Sequence, residues 1–223
     1  WQLSFSEDLT QAATSQSSYS VEICRTRGAI YDCNGQRMTE TQSHVVAAIS
    51  PSAEAMQTVA ANLKGSQRSA VLQLLREGKP FLCNLGRQRL YGEGIRCFDV
   101  YERYASEPLA PHLIGYLDGS GIGVSGLEQA FEQELRAAGE QVVLRYGVDI
   151  QQKPLESVTA EQSGSAEPPK AGLVLTLDKD IQQLCQVIGR QMLDKGAIVV
   201  MDVDSGQLKA VVSLPTFDPN DLT

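Results

Sequence analysis

The sequence predicts an α+β fold. An elongated, mixed domain of short helices and antiparallel strands is followed by an incomplete strand-helix-hairpin unit. Three observations lead there. Apolar residues at helical spacing occur only in short stretches, the longest over residues 179–194. The strand-like runs are short and bounded by Asp, Asn and Gly clusters. A polar, proline-bearing stretch, 151–171, separates two parts of different composition.

The elements follow in order. Residues 1–20 are rich in Ser, Thr and Gln and read as an extended stalk. A weakly alternating strand over 21–31 ends in the turn Asp32-Cys33-Asn34-Gly35, because Asn-Gly adopts positive φ at little cost. A hairpin return through His44 to Ile49 is expected. Ser50-Pro51 opens a helix as N-cap and first-turn proline, with Met56, Val59, Ala60 and Leu63 on one face and Gly65 as its stop. Ser66 caps a second helix carrying Val71, Leu72, Leu74 and Leu75, closed by Gly78 and Pro80. This pair is a helical insert near 50–78. Short strands fit 81–104, which Gly92 and Gly94 interrupt.

An apolar segment around His112 precedes a glycine-rich turn at Gly119, Gly121, Gly123 and Gly126. Ser125 and Glu128 have capping-box spacing, and Leu127, Phe131 and Leu135 give one helix, ending near Gly139, its apolar stripe. That count turns Glu132 and Glu134 to solvent. One or two strands are expected over 141–150. Beyond the 151–171 linker, Leu173 to Leu177 reads as a strand and Asp178 as a helix cap. Ile181, Leu184, Cys185, Ile188, Met192 and Leu193 share one helix face and are expected in the core. Ala197 to Val203 and Leu208 to Leu214 form a hairpin around Asp204-Ser205-Gly206. The expected domains are therefore 1–20 stalk, 21–150 N-terminal domain, 151–171 linker and 172–223, a unit that leaves one sheet edge and one face bare.

Composition narrows the function classes. The chain has 223 residues and a net charge of -8, from 19 basic and 27 acidic residues, which argues against a nucleic-acid face. No run of eighteen apolar residues offers a membrane span. Trp1 opens the chain without a Met, as in a fragment, so an upstream anchor would lie outside it. Five cysteines lack C-x-x-C spacing and there are only two histidines, so neither zinc nor any other cofactor is expected. The odd count reads as free thiols, with one disulfide left open.

Four segments, in order, resemble the class B penicillin-binding proteins. Arg27-Gly28-Ala29-Ile30-Tyr31-Asp32-Cys33-Asn34-Gly35 resembles R-G-x-I-x-D-R-N-G, with Cys33 where arginine is usual. Tyr104 to Tyr116, ending Leu109-Ala110-Pro111-His112-Leu113-Ile114-Gly115-Tyr116, is similar to the R-x-Y-P-x-G-x-x-A-x-H-x-I-G-Y segment. Ala105 and Glu107 replace its proline and glycine. Gly123-Val124-Ser125-Gly126-Leu127-Glu128 with Phe131 and Leu135 matches G-x-x-G-L-E-x-x-Y/F-x-x-x-L, and Ala137 replaces a glycine of its tail. Leu175-Thr176-Leu177-Asp178, Gly196 to Asp202 and Ser213 to Asn220 look like the opening of a transpeptidase domain. The resemblance covers roughly 25–35 and 102–223.

The resemblance implies a pedestal, or dimerisation, domain and the start of a peptidoglycan D,D-transpeptidase. Such enzymes transfer acyl groups through a serine that a neighbouring base activates. Their Ser-x-x-Lys, Ser-x-Asn and Lys-Thr-Gly motifs do not occur in this sequence. The chain is therefore expected to be non-catalytic, holding a transpeptidase domain outside the bacterial cytoplasmic membrane. The implied partners are a SEDS-type glycosyltransferase, other cell-wall synthesis proteins and a second copy. The motif residues singled out are Arg27, Gly28, Asp32, Gly35, Tyr104, His112, Gly115, Gly123, Gly126 and Glu128, each with a structural reading. Asp32 accepts turn N–H bonds, Arg27 pairs with a carboxylate or carbonyls, Glu128 caps its helix, and His112 is buried against backbone. Two alternatives are an independent envelope or peptidoglycan-binding module and a carboxylate-based hydrolase using Glu128 and Glu132.

Overall fold

The computed structural model describes residues 18–149, 154 and 160–221. Most of the predicted stalk, the first part of the predicted linker and Ile150 lie outside the described residues. The fold is α+β. Two compact units emerge, each assembled from three separated stretches of chain. Unit 1 takes 1–25, 44–100 and 141–166, and unit 2 takes 26–43, 101–140 and 167–223.

Unit 1 is layered. Strands β3 (Gln42–Ile49), β4 (Phe81–Gly86) and β5 (Ile95–Glu102) form one antiparallel sheet in the order β4-β3-β5. Strands β1 (Ser18–Arg25), β6 (Gln141–Gly147) and β7 (Glu161–Ser163) form another, in the order β1-β6-β7. Central strand β3 is apolar on both faces, because each is covered. Val45, Ala47 and Ile49 face α1 (Ala53–Asn62) and α2 (Gly65–Arg76), meeting Ala55, Val59, Leu63, Val71 and Leu75. Ala48 joins Ile23, Phe98, Val142, Leu144 and Tyr146 in a second core.

Several local expectations shift here. Ser52, not Ser50, caps α1: its hydroxyl accepts the Ala55 N–H at 3.0 Å. Gly65 starts α2 rather than ending α1, and Met56 is exposed. The predicted 21–31 strand is two strands. Arg27-Gly28 breaks it, and β1 pairs with β6, not with a hairpin return. The Asp32–Gly35 turn does form, bringing Tyr31 beside Arg37, but Glu40 at φ 50° redirects the chain before β3.

In unit 2, β2 (Ala29–Tyr31) pairs in parallel with β8 (Gly172–Val174), and β9 (Gly196–Met201) pairs antiparallel with β10 (Leu208–Leu214). Its core gathers Ile30, Met38, Tyr104, Ala110, Ile114, Leu135 and Leu177. Residues 168–170, within the predicted linker, are held in place. Arg37 Nη2 donates to the Pro169 carbonyl at 2.8 Å and the Tyr31 hydroxyl to Lys170 at 3.0 Å. The predicted 125–139 helix is interrupted at Phe131 into α4 (Gly126–Ala130) and α5 (Glu132–Ala137), after a short α3 (Pro111–Ile114).

Asp178 caps α6 (Lys179–Met192) as expected, accepting from the Asp180 and Ile181 amides. The buried side of α6 is not the expected one. Gln182, Gln186 and Gly189 are buried, while Leu184, Val187, Ile188, Met192 and Leu193 are exposed. Gly189 explains the reversal. A Cβ there would meet methyls of Leu214, Ile198 and Val212 at 3.2–3.6 Å, so the helix approaches the β9–β10 hairpin along its small-residue side. The glutamines bond to backbone instead of lying idle in an apolar core.

Candidate functional site

The motif segments converge in unit 2 on one buried network of charges. The Arg27-Gly28 break between β1 and β2 directs Arg27 inward, where its Nε donates to Glu128 Oε2 at 2.8 Å. Its Nη2 donates to the Glu128 carbonyl at 3.1 Å and to Glu132 Oε2 at 2.6 Å. Arg103, beyond β5, donates from Nε to Glu128 Oε1 at 2.6 Å, and from Nη1 to the Gly28 carbonyl at 2.8 Å and to Glu40. Tyr104 adds a hydroxyl bond to Glu128 at 3.3 Å. Glu128 is fully buried, with donors on both oxygens.

This corrects two expectations. Ser125 makes no side-chain cap bond, so Glu128 is not half of a capping box. The S-x-x-E spacing suits a cap and an inward-facing carboxylate equally, and two buried guanidiniums decide for the second. Glu132 does not face solvent: it accepts from Arg27 and from the Gly123 amide at 2.9 Å. Gly123 is required by close approach, since a Cβ would lie 2.0 Å from the Glu128 carbonyl oxygen.

Electrostatics follows from burial set against partners. Burial works to lower the Arg103 pKa, but the Glu40 and Glu128 carboxylates outweigh it and hold the guanidinium more basic than usual. At Glu40 burial wins, and its carboxyl lies above the ordinary value despite Arg103 and a bond from Thr39. Burial would raise Glu132 too, yet the Arg27 bond and the Gly123 amide bring it below the ordinary value. Tyr104 is pushed far up, first by burial and then by the Glu128 charge. Its hydroxyl therefore stays protonated and serves as a donor.

A second node lies at the turn after β2. The Asp32 carboxylate is completely buried and accepts the amides of Asn34, Gln36 and Lys179 at 2.9, 2.7 and 3.1 Å. Burial alone would raise this carboxyl, but those N–H bonds prevail and hold it below the ordinary value. The turn is thereby tied to Lys179, the first residue of α6, and Asn34 donates to the N-cap of that helix, at Asp178 Oδ2 3.1 Å away.

The remaining motif residues fall around these nodes. Gly28 donates to the Leu135 carbonyl at 2.7 Å, and Gly35 closes the Asp32 turn at φ 76°. Gly115 and Gly126 lie where the chain after α3 crosses the start of α4. His112 corrects another expectation. It is exposed on α3, though its Nε2 does reach backbone, at the Pro215 carbonyl 2.9 Å away, and its ring meets Phe217 edge-on. Arg103 and Glu40 were not singled out as site residues from sequence, and Glu132 entered only through the hydrolase alternative. Arg103 adjoins the motif residue Tyr104, which was the one available signal.

Chemically the network binds chain to chain. Glu128 is shut away from any substrate, and the Glu128–Glu132 pair is bridged by Arg27 rather than facing a cleft. Among the described residues, no cluster of three or more His, Cys, Asp or Glu could hold a metal ion, and no helix is long and apolar enough to cross a membrane.

No family model matches the chain. Its curated relatives include proteins named as peptidoglycan D,D-transpeptidases. PenA of Neisseria meningitidis is 31% identical over 130 residues, covering 55% of this chain and 21% of PenA. FtsI of Escherichia coli is 25% identical over 174 residues, covering 74% of this chain and 28% of FtsI. Among solved structures, the penicillin-binding protein PBP2 of Helicobacter pylori aligns over 92% of this chain and 44% of its own, with 19% identity and a TM-score of 0.48. The chain thus spans less than a third of these two curated relatives. In its ordered motifs and in these relatives the chain is similar to one part of the peptidoglycan D,D-transpeptidases of the penicillin-binding type.

Proposed function

We propose that the chain is the non-catalytic part of a peptidoglycan D,D-transpeptidase that carries and orients the transpeptidase domain. The observation that carries this reading is the bare apolar surface of the 172–221 unit. Leu184, Val187, Ile188, Met192 and Leu193 of α6 are exposed, as are Val199 and Met201 of β9. So much aliphatic surface on one small helix-and-hairpin unit suits a sheet that further strands and helices complete. The Asp32 clasp supports it as well, because it ties the turn after β2 to the start of α6.

On this reading the acylated serine belongs to polypeptide following the matched region. The domains are a stalk over 1–20, a pedestal over 21–150, a linker over 151–171 and the opening of the transpeptidase domain from 172. The working location is the outer face of the bacterial cytoplasmic membrane. The partners are cell-wall synthesis proteins, among them a SEDS-type glycosyltransferase, with a second copy as a further candidate. A fluorescent penicillin should label a chain extended through a Ser-x-x-Lys segment and leave residues 1–223 unlabelled after denaturing electrophoresis. Covalent labelling of the 223-residue chain would overturn the proposal.

A further inference from the structure

We propose that residues 108–114 form a two-position latch, held in its present position by Gln186. Two observations in unit 2 carry this. The first is strain. Ala110 has φ 44° and ψ 50°, the left-handed region, where a Cβ is crowded. Pro111 follows it, and a proline drives the preceding residue toward extended backbone. Both effects push Ala110 out of the conformation it holds.

The second is what opposes them. Gln186 Oε1 accepts the Ala110 amide at 2.8 Å, and Gln186 Nε2 donates to the Pro108 carbonyl at 3.0 Å. The Gln186 amide is itself oriented by Gln182, which donates to it at 3.0 Å. Gln182 in turn exchanges two bonds with Val211 of β10, at 2.7 and 2.8 Å. Both glutamines are buried, so each bond that is lost leaves a polar group without water.

The segment is built to move as a piece. Helix α3 lies between Ala110 and Gly115, and both have positive φ. On the far side, His112 holds the Pro215 carbonyl and the Phe217 ring. Release of Ala110 to extended backbone swings α3 and withdraws His112 from residues 215–217. The position of α6, through Gln186, then sets the order of the chain that leaves β10. This inference stands on unit 2 alone and is independent of the transpeptidase reading.

Hydrogen–deuterium exchange by mass spectrometry on the 223-residue chain tests it, with Gln186→Met, Ala110→Gly and the double variant. Methionine keeps the volume and removes the bonds to Ala110 and Pro108, together with the one from Gln182. Gln186→Met should speed exchange about tenfold in peptides covering 112–116 and 213–221, with 44–62 unchanged. Ala110→Gly should slow exchange in 112–116 in both backgrounds, because glycine relieves the strain. A merely structural contact gives no such rescue. Rates within about twofold of the parent in Gln186→Met, or a rise confined to 112–116, overturn the latch. Should Gln186→Met not fold, Ala110→Gly alone decides: faster exchange or a lower melting temperature overturns the proposal.

Discussion

Unit 1 buries Ile49, Val59, Leu63 and Leu144, whereas unit 2 also buries Arg27, Asp32, Thr39, Glu40, Glu128, Gln182 and Gln186. Among the described residues, every buried polar or charged side chain belongs to unit 2. The two units are therefore specified by different physics. In unit 1, apolar area removed from water does most of the work, and an apolar side chain of similar volume serves nearly as well. In unit 2, each buried group needs its particular partner. Removing one partner leaves the other desolvated and unpaired, a larger loss than the pair's net contribution.

The largest test of this contrast is Glu128→Ala, which takes one of two carboxylate partners from both Arg27 and Arg103. It should destabilise the chain by about 3–5 kcal/mol in urea unfolding. Adding Arg103→Met should recover part of that loss, since it removes a buried guanidinium that has lost one of its two carboxylates. Additive single effects at Glu128 and Arg103 would break the contrast. In unit 1, Leu63→Ala should cost about 2–4 kcal/mol through cavity formation, and Leu63→Met far less. Equal damage from the two would show that shape, rather than area, governs this core.

The smallest expected effect separates the units by pH. Asp32 and Glu132 have lowered folded-state values, so the stability they contribute is complete above the ordinary carboxylate range. It is lost as pH falls through those lowered values, below about pH 4. Glu40 is raised and runs the other way, taking up its proton earlier in the folded state and offsetting part of the loss. Asp32→Asn should cost about 2 kcal/mol at pH 7 and flatten the fall in melting temperature between pH 5 and pH 3, both as rough values. An unchanged slope would remove Asp32 from the acid response.

Features that depend on a few neighbouring residues were legible in the sequence. The Asp32–Gly35 turn, the Asp178 cap and the β9–β10 hairpin each rest on chemistry within four or five positions. The motif residues Arg27, Tyr104, Gly123 and Glu128 do meet, but their order along the chain carries no sign of how they pair. Arg103 and Glu40 stayed hidden because a charge looks the same whether it ends in water or on a buried partner. Glu128 was misread because its spacing from Ser125 serves two geometries. The α6 face was misread for a related reason: periodicity shows that a helix has an apolar side, while Gly189 decides which side comes close to the hairpin.

Neither unit is continuous in sequence, and this bears on how the chain matures. Strand β1 waits for β6, and Thr26 meets Glu140 114 residues later. Closing so long a loop is entropically unfavourable and slow compared with making nearby contacts. During synthesis, β1 is left as an open edge until β6 has been made. An emerging chain thus passes through a stage exposed to aggregation, and a chaperone that shields strand edges would raise its yield most at that stage.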